Sequence, residues 1–224
     1  MNLPHRLGLA LLFLALAALP ALVPLAAAQE GREQPVTAQE ARGAALVERL
    51  RKGGLVMFFR HADTRGMPCD RSFRVGDREG QRNISPAGRA QSQRIGQALR
   101  ELGIPVALPV LAGPVYRARD TAELAFGAPN IEVTDSLLAD DYSGSRLDWV
   151  LSEHRRLYSA PVAAKANRVL VGHRTPAIMV LGSSVGGKAF PEGSALVLEP
   201  GRDGARVLGI LALAPIEGGG FHGC

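Results

Sequence analysis

Three short apolar runs, each breaking off into polar residues, organise the chain. Leu55-Val56-Met57-Phe58-Phe59 follows Gly53-Gly54 and ends in Arg60-His61; Val106 to Leu111 ends in Ala112-Gly113-Pro114; Arg168 to Val171 ends in Gly172-His173. Runs of this length, bounded by glycine and rich in β-branched or aromatic residues, predict buried strands. Between them the pattern turns helical. Thr37-Ala38-Gln39-Glu40 has capping-box spacing and predicts a helix to about Lys52. Ser85-Pro86, a cap followed by proline at the first helical position, predicts a helix over 87–102. Further helices are expected over 115–125 and 147–158, and another following Gly172-His173-Arg174-Thr175-Pro176 to about Leu181. A short strand is expected at 131–133, and a terminal hairpin of 195–199 with 206–212. Residues 60–84 form a long polar loop, of a length that in a compact domain is usually functional. The glycines at 218–220 read as a flexible tail.

Strands alternating with helices place the chain in the α/β class, with a mostly parallel central sheet flanked by helices. The first 28 residues change the picture. A short basic head is followed by an apolar stretch from Leu7 and an Ala26-Ala27-Ala28 end, which reads as a secretory signal peptide cleaved after Ala28. That predicts a periplasmic or secreted protein with no stable membrane insertion after cleavage. Residues 29–36 read as a linker, and 37–224 as one domain. There are 26 basic and 21 acidic residues, and the leader removes one arginine. The basic residues are scattered and interleaved with acids, and aromatics are few, so no nucleic-acid surface is expected. The cysteines are Cys69 and Cys224. In an oxidising compartment the two can pair, or each can remain a thiol. No Cys/His spacing marks a metal site.

In a parallel sheet the polar turns after the three strands fall at one edge, where such folds bind ligands. Arg60, His61, Arg117 and His173 then converge. Arginine presents a planar fork of donors suited to phosphate oxygens. Histidine can act as nucleophile or proton carrier near neutral pH. The combination points to chemistry on a phosphoryl group.

Arg60-His61-Ala62-Asp63-Thr64, Gln81-Arg82-Asn83-Ile84-Ser85 with Gly88-Arg89-Ala90-Gln91, Gly113-Pro114-Val115-Tyr116-Arg117 with Thr121-Ala122, and Val171-Gly172-His173 stand in the order found in the histidine phosphatase superfamily, the phosphoglycerate mutase-like proteins. The chain resembles that family over roughly residues 50 to 215. The resemblance implies a three-layer sandwich. Together with the leader it implies an exported, metal-independent phosphatase that hydrolyses phosphate monoesters or related phosphoryl compounds of small molecules through a phosphohistidine on His61. Arg60, Arg117 and a protonated His173 would hold the phosphate, with no cofactor. Arg82 is open between a phosphate contact and a pair with an acid.

Two positions depart from the pattern. Gly113 stands where the family usually has serine. Arg174-Thr175 follows His173, so no acid stands directly after it. Asp140 and Asp141 by chain order, and Glu192 in the later loop, are the candidates for general acid; Asp141 is preferred over Glu192. The reading from another class is a non-catalytic phosphate- or anion-binding module of the cell envelope with a degenerate pocket.

Overall fold

The structure is a computed structural model that describes Met1, residues 32–64 and residues 68–222. The expected leader lies outside the described residues apart from Met1. Cys224, the expected partner of Cys69, also lies outside them; Cys69 itself is disulfide-bonded.

Seven strands form one sheet: β1 (Pro35–Val36), β2 (Val56–Arg60), β3 (Val106–Ala112), β4 (Ile131–Val133), β5 (Asn167–Gly172), β6 (Ala195–Glu199) and β7 (Arg206–Leu211). Their order is β1-β7-β6-β2-β5-β3-β4. Every neighbouring pair is parallel except those made by β6, which runs antiparallel to both β2 and β7. The helices are α1 (Ala41–Lys52), α2 (Pro86–Glu101), α3 (Tyr116–Phe126), α4 (Asp140–Ser143), α5 (Leu147–Ser159) and α6 (Arg174–Leu181).

The unbroken apolar run of β2 is explained by burial on both faces. Met57 and Phe59 pack with Leu46 and Leu50 of α1, Ile95 and Leu99 of α2, and Ala118 and Ala122 of α3. Val56 and Phe58 pack on the opposite face with Leu157 and Tyr158 of α5 and Ala177 of α6. The result is the helix–sheet–helix sandwich. Each fully buried phenylalanine here contributes about 1.5–3 kcal/mol of transfer free energy.

Element ends follow the local chemistry. The Ser85 hydroxyl accepts from Gly88 N at 2.9 Å and starts α2 with Pro86 in its first turn. Glu40 accepts from Thr37 N at 2.8 Å, but α1 begins only at Ala41, with Glu40 as its cap. Pro35-Val36 joins the sheet beside β7 instead of serving as linker. Among the described residues no helix is long and apolar enough to cross a membrane.

Candidate active site

The pairing of β2 with β5 fixes the site. Arg60 stands opposite Gly172, so His61 and His173 leave adjacent strands at the same level. The His61 N–H donates to the Gly172 carbonyl at 3.0 Å, and the two imidazole centroids are 5.6 Å apart. On the other side of β5, Ala112 of β3 stands opposite Val171, and Gly113 N donates to the Val171 carbonyl. This turn carries the chain into α3 and delivers Arg117. The three strand ends thus meet as the sequence pattern implies.

Gly113 has a steric reason. A Cβ at this position would sit 2.3 Å from the Leu137 carbonyl oxygen, so any side chain, serine included, would displace the 137–139 segment. The absent hydroxyl reflects the close approach of a neighbouring loop.

His61 Nδ1 is 2.9 Å from the Ala62 carbonyl. A carbonyl only accepts, so Nδ1 carries the proton and Nε2 keeps its lone pair. Burial, then Arg60, Arg117 and His173, hold His61 well below the ordinary imidazole range. It is therefore neutral at neutral pH. The loop after it is held at several points. Ala62 N donates to Thr121 Oγ1 at 2.9 Å, and Asp63 N to Gln91 Oε1 at 2.8 Å. Ser85 Oγ donates to Asp63 Oδ2 at 2.5 Å.

Burial and then Arg117, His154, Arg60 and Arg82 hold His173 well below its ordinary range too. His173 is therefore neutral at neutral pH, not protonated as expected. A bound phosphate dianion supplies the opposite charge that favours the imidazolium.

The arginines are placed by carboxylates. Arg60 Nη2 donates to Glu192 Oε1 at 3.1 Å, with both side chains buried. Desolvation brings Arg60 down to about 10, which leaves it charged at neutral pH. Arg117 Nη1 pairs with Asp70 Oδ2 at 3.0 Å, and Asp70 Oδ1 also accepts from Arg82 N. Arg82 is half-buried, and its Nη1 reaches the His222 carbonyl at 3.4 Å. Burial, then Arg117, lower its affinity for its proton. Arg174 adds to the same field at Arg60 and Arg82. Four buried nitrogens of this cluster, Arg60 Nε, Arg82 Nε, Arg117 Nε and His173 Nε2, have no hydrogen-bond partner. Buried donors without partners are costly, and an anion satisfies several at once.

The acids are distributed differently from the expectation. Asp141 is exposed at the start of α4. Its neighbour Asp140 is half-buried and bonded to Thr175, with Arg117 nearby; burial, then Asp141, raise its pKa. Of the two adjacent acids it is Asp140, not the preferred Asp141, that is half-buried with Arg117 nearby. Glu192 is sequestered: it accepts from Arg60, from Thr64 Oγ1 at 3.0 Å, and lies 2.9 Å from His222 Nδ1. Its geometry positions Arg60.

Sequence reasoning missed Asp70, which lies in a loop full of similar polar residues, and the C-terminal segment. The glycine-rich tail is anchored. Glu192 N donates to the Gly220 carbonyl at 2.9 Å, Arg60 Nη1 reaches the same carbonyl, and the Phe221 ring lies 5.5 Å from the Arg60 guanidinium.

No curated protein matches the chain. Among solved structures it is similar to the protein histidine phosphatase SixA complexed with tungstate, with 14% identity, TM-score 0.47, and 71% of this chain and 97% of that chain covered. It is similar to TTHB049 from Thermus thermophilus, with 22% identity, TM-score 0.47 and coverage of 70% and 99%. It is also similar to the mycobacterial glucosyl-3-phosphoglycerate phosphatase Rv2419c, with 19% identity, TM-score 0.45 and coverage of 69% and 97%. Residues 56–142, the span from β2 through His61, Arg82 and Arg117 into α4, match the Histidine phosphatase superfamily (branch 1).

Proposed function

We propose that the protein is an exported phosphatase that hydrolyses phosphate monoesters, or related phosphoryl compounds, through a phosphohistidine on His61, without requiring a metal ion for the chemistry. The observation that carries this reading is the neutral His61 with its free Nε2 lone pair, set among four unpartnered cationic or imidazole nitrogens.

In the first step His61 Nε2 attacks phosphorus and the bond to the leaving oxygen breaks. Arg60, Arg117 and His173, with Arg82 at the rim, balance the charge spread over the phosphoryl oxygens. Asp140, kept protonated longer than an ordinary aspartate, gives its proton to the leaving oxygen. In the second step water attacks the phosphohistidine, the P–N bond breaks, Asp140 takes the proton from that water, and inorganic phosphate leaves. The apolar leader supports a periplasmic or secreted location.

The test is hydrolysis of p-nitrophenyl phosphate with EDTA present, beside His61→Ala. Turnover that survives EDTA and vanishes in the variant supports the reading. The tail lying over Arg60 favours the second reading, a phosphate-binding module. Tight phosphate binding with no turnover at any pH would establish that reading instead.

A further inference from the structure

Beside the phosphate pocket, three donor atoms from distant parts of the chain face one another: Asp63 Oδ1, Glu192 Oε2 and His222 Nδ1, all within 4.8 Å of each other. His222 Nδ1 is 2.9 Å from Glu192 Oε2 and 3.7 Å from Asp63 Oδ1. Donors at about 2.0–2.1 Å around a tetrahedral zinc ion are about 3.3 Å apart, between those two values. Both carboxylates are buried and the imidazole is half-buried.

Each carboxylate has its other oxygen fixed by a donor outside the trio. Asp63 Oδ2 accepts from Ser85 Oγ, while Glu192 Oε1 accepts from Arg60 Nη2 and Thr64 Oγ1. Outer partners of this kind orient metal-binding oxygens. The backbone that presents the imidazole is also tethered, by Arg82 on the His222 carbonyl and by Arg60 and Glu192 N on the Gly220 carbonyl. A cavity of about 280 Å³ lined by Gly219, Gly220 and Phe221 reaches one of the three residues, Glu192.

We propose that Asp63, Glu192 and His222 form a binding site for one divalent transition-metal ion of the zinc type, which clips the C-terminal tail to the loops beneath the phosphate pocket. Two carboxylate oxygens and one imidazole nitrogen suit such an ion and leave its fourth position to water. The site is separate from the proposed phosphoryl-transfer steps, in which none of the three atoms touches the phosphate. Binding takes a lone pair from His222 Nδ1, so that nitrogen gives up its hydrogen bond to Glu192 and the ring proton sits on Nε2.

The experiment uses the purified full-length protein stripped with a chelator and titrated with zinc chloride by calorimetry, with thermal unfolding followed in parallel. One ion bound per chain and a rise in Tm are expected. His222→Ala should weaken binding by about 100-fold or more and remove the rise in Tm, and Asp63→Asn should weaken it similarly. Cobalt(II) provides a second readout, with visible absorption of a four-coordinate ion that disappears in His222→Ala. Far-UV circular dichroism checks that the variants are folded. Absence of stoichiometric binding by the parent protein, or binding unaltered in folded His222→Ala, overturns the proposal. Neither result depends on phosphatase activity.

Discussion

Two buried histidines, His173 and His154, show what separates a charged pocket from a packed core. His173, at the end of β5, is 4% exposed; His154, on α5, is fully buried. Each has an Nε2 without a partner, and each is pushed toward the neutral form by burial. Their neighbours differ. His154 donates from Nδ1 to the Val150 carbonyl within its own helix and packs edge-on against Phe58 and Tyr158, at 5.9 and 5.6 Å. His173 faces His61, with Arg117, Arg60 and Arg82 adding to the field around it. Burial and an unmet nitrogen occur at both positions, while only one lies where loops from several strands bring cations together. Convergence of charge from distant segments marks the site.

The sharpest way to break this comparison is to remove each imidazole in turn. His173→Ala is expected to lower kcat for p-nitrophenyl phosphate by about 10³-fold, as loss of one transition-state donor does. His154→Leu should leave kcat within about twofold, because no donor to the phosphate is lost. Equal losses in steady-state assays would show that the aromatic core and the pocket are one functional unit.

The general acid supplies a smaller effect and a pH signature. Asp140→Asn should cost about 10²-fold on an alkyl phosphate, and far less on p-nitrophenyl phosphate, whose leaving group needs no proton. The acid acts protonated. Parent activity on alkyl phosphates should therefore fall as pH rises through its elevated pKa, and that fall should be missing from the variant's kcat profile. A full effect in Asp141→Asn, with none in Asp140→Asn, would reverse the assignment.

The smallest effect concerns stability. His154 titrates at about 4 in the folded chain against about 6.5 unfolded, so the unfolded state binds the proton more readily. Stability is lost as pH falls below 6.5, and the loss levels off below 4. It amounts to about 2 kcal/mol by about pH 5. Urea unfolding at pH 7 and pH 5 should show a loss of stability larger in the parent protein than in His154→Leu by about that amount.

Much of the site is legible because it depends on strand ends. A buried strand needs an apolar run and its turn needs polar or glycine residues, so Phe59-Arg60-His61 and Val171-Gly172-His173 announce themselves. Pro35-Val36 does not, because two residues carry no periodicity and become a strand only through pairing with β7. The choice between Asp140 and Asp141 was closed to sequence reasoning, since adjacent residues at a helix start differ only in which way the first turn points. Asp70, and the pairing of Glu192 with Arg60, were obscured for a related reason. Their importance lies in which arginine they meet, 47 and 132 positions away, and loop composition encodes no such distance.

The reversed direction of β6 has a practical corollary. Because it runs against β2, its beginning meets the reactive edge, with Ser194 accepting from Arg60 N, while its end is carried to the opposite pole of the sheet. The hairpin turn at 201–204 therefore faces away from the phosphate pocket. It joins two strands whose pairing is fixed on both sides of it, which makes it a natural seat for a graft. An affinity label, a fluorophore or a surface tether placed there would leave the pocket mouth unobstructed, so the protein could be immobilised with the His61–His173 edge toward the solution.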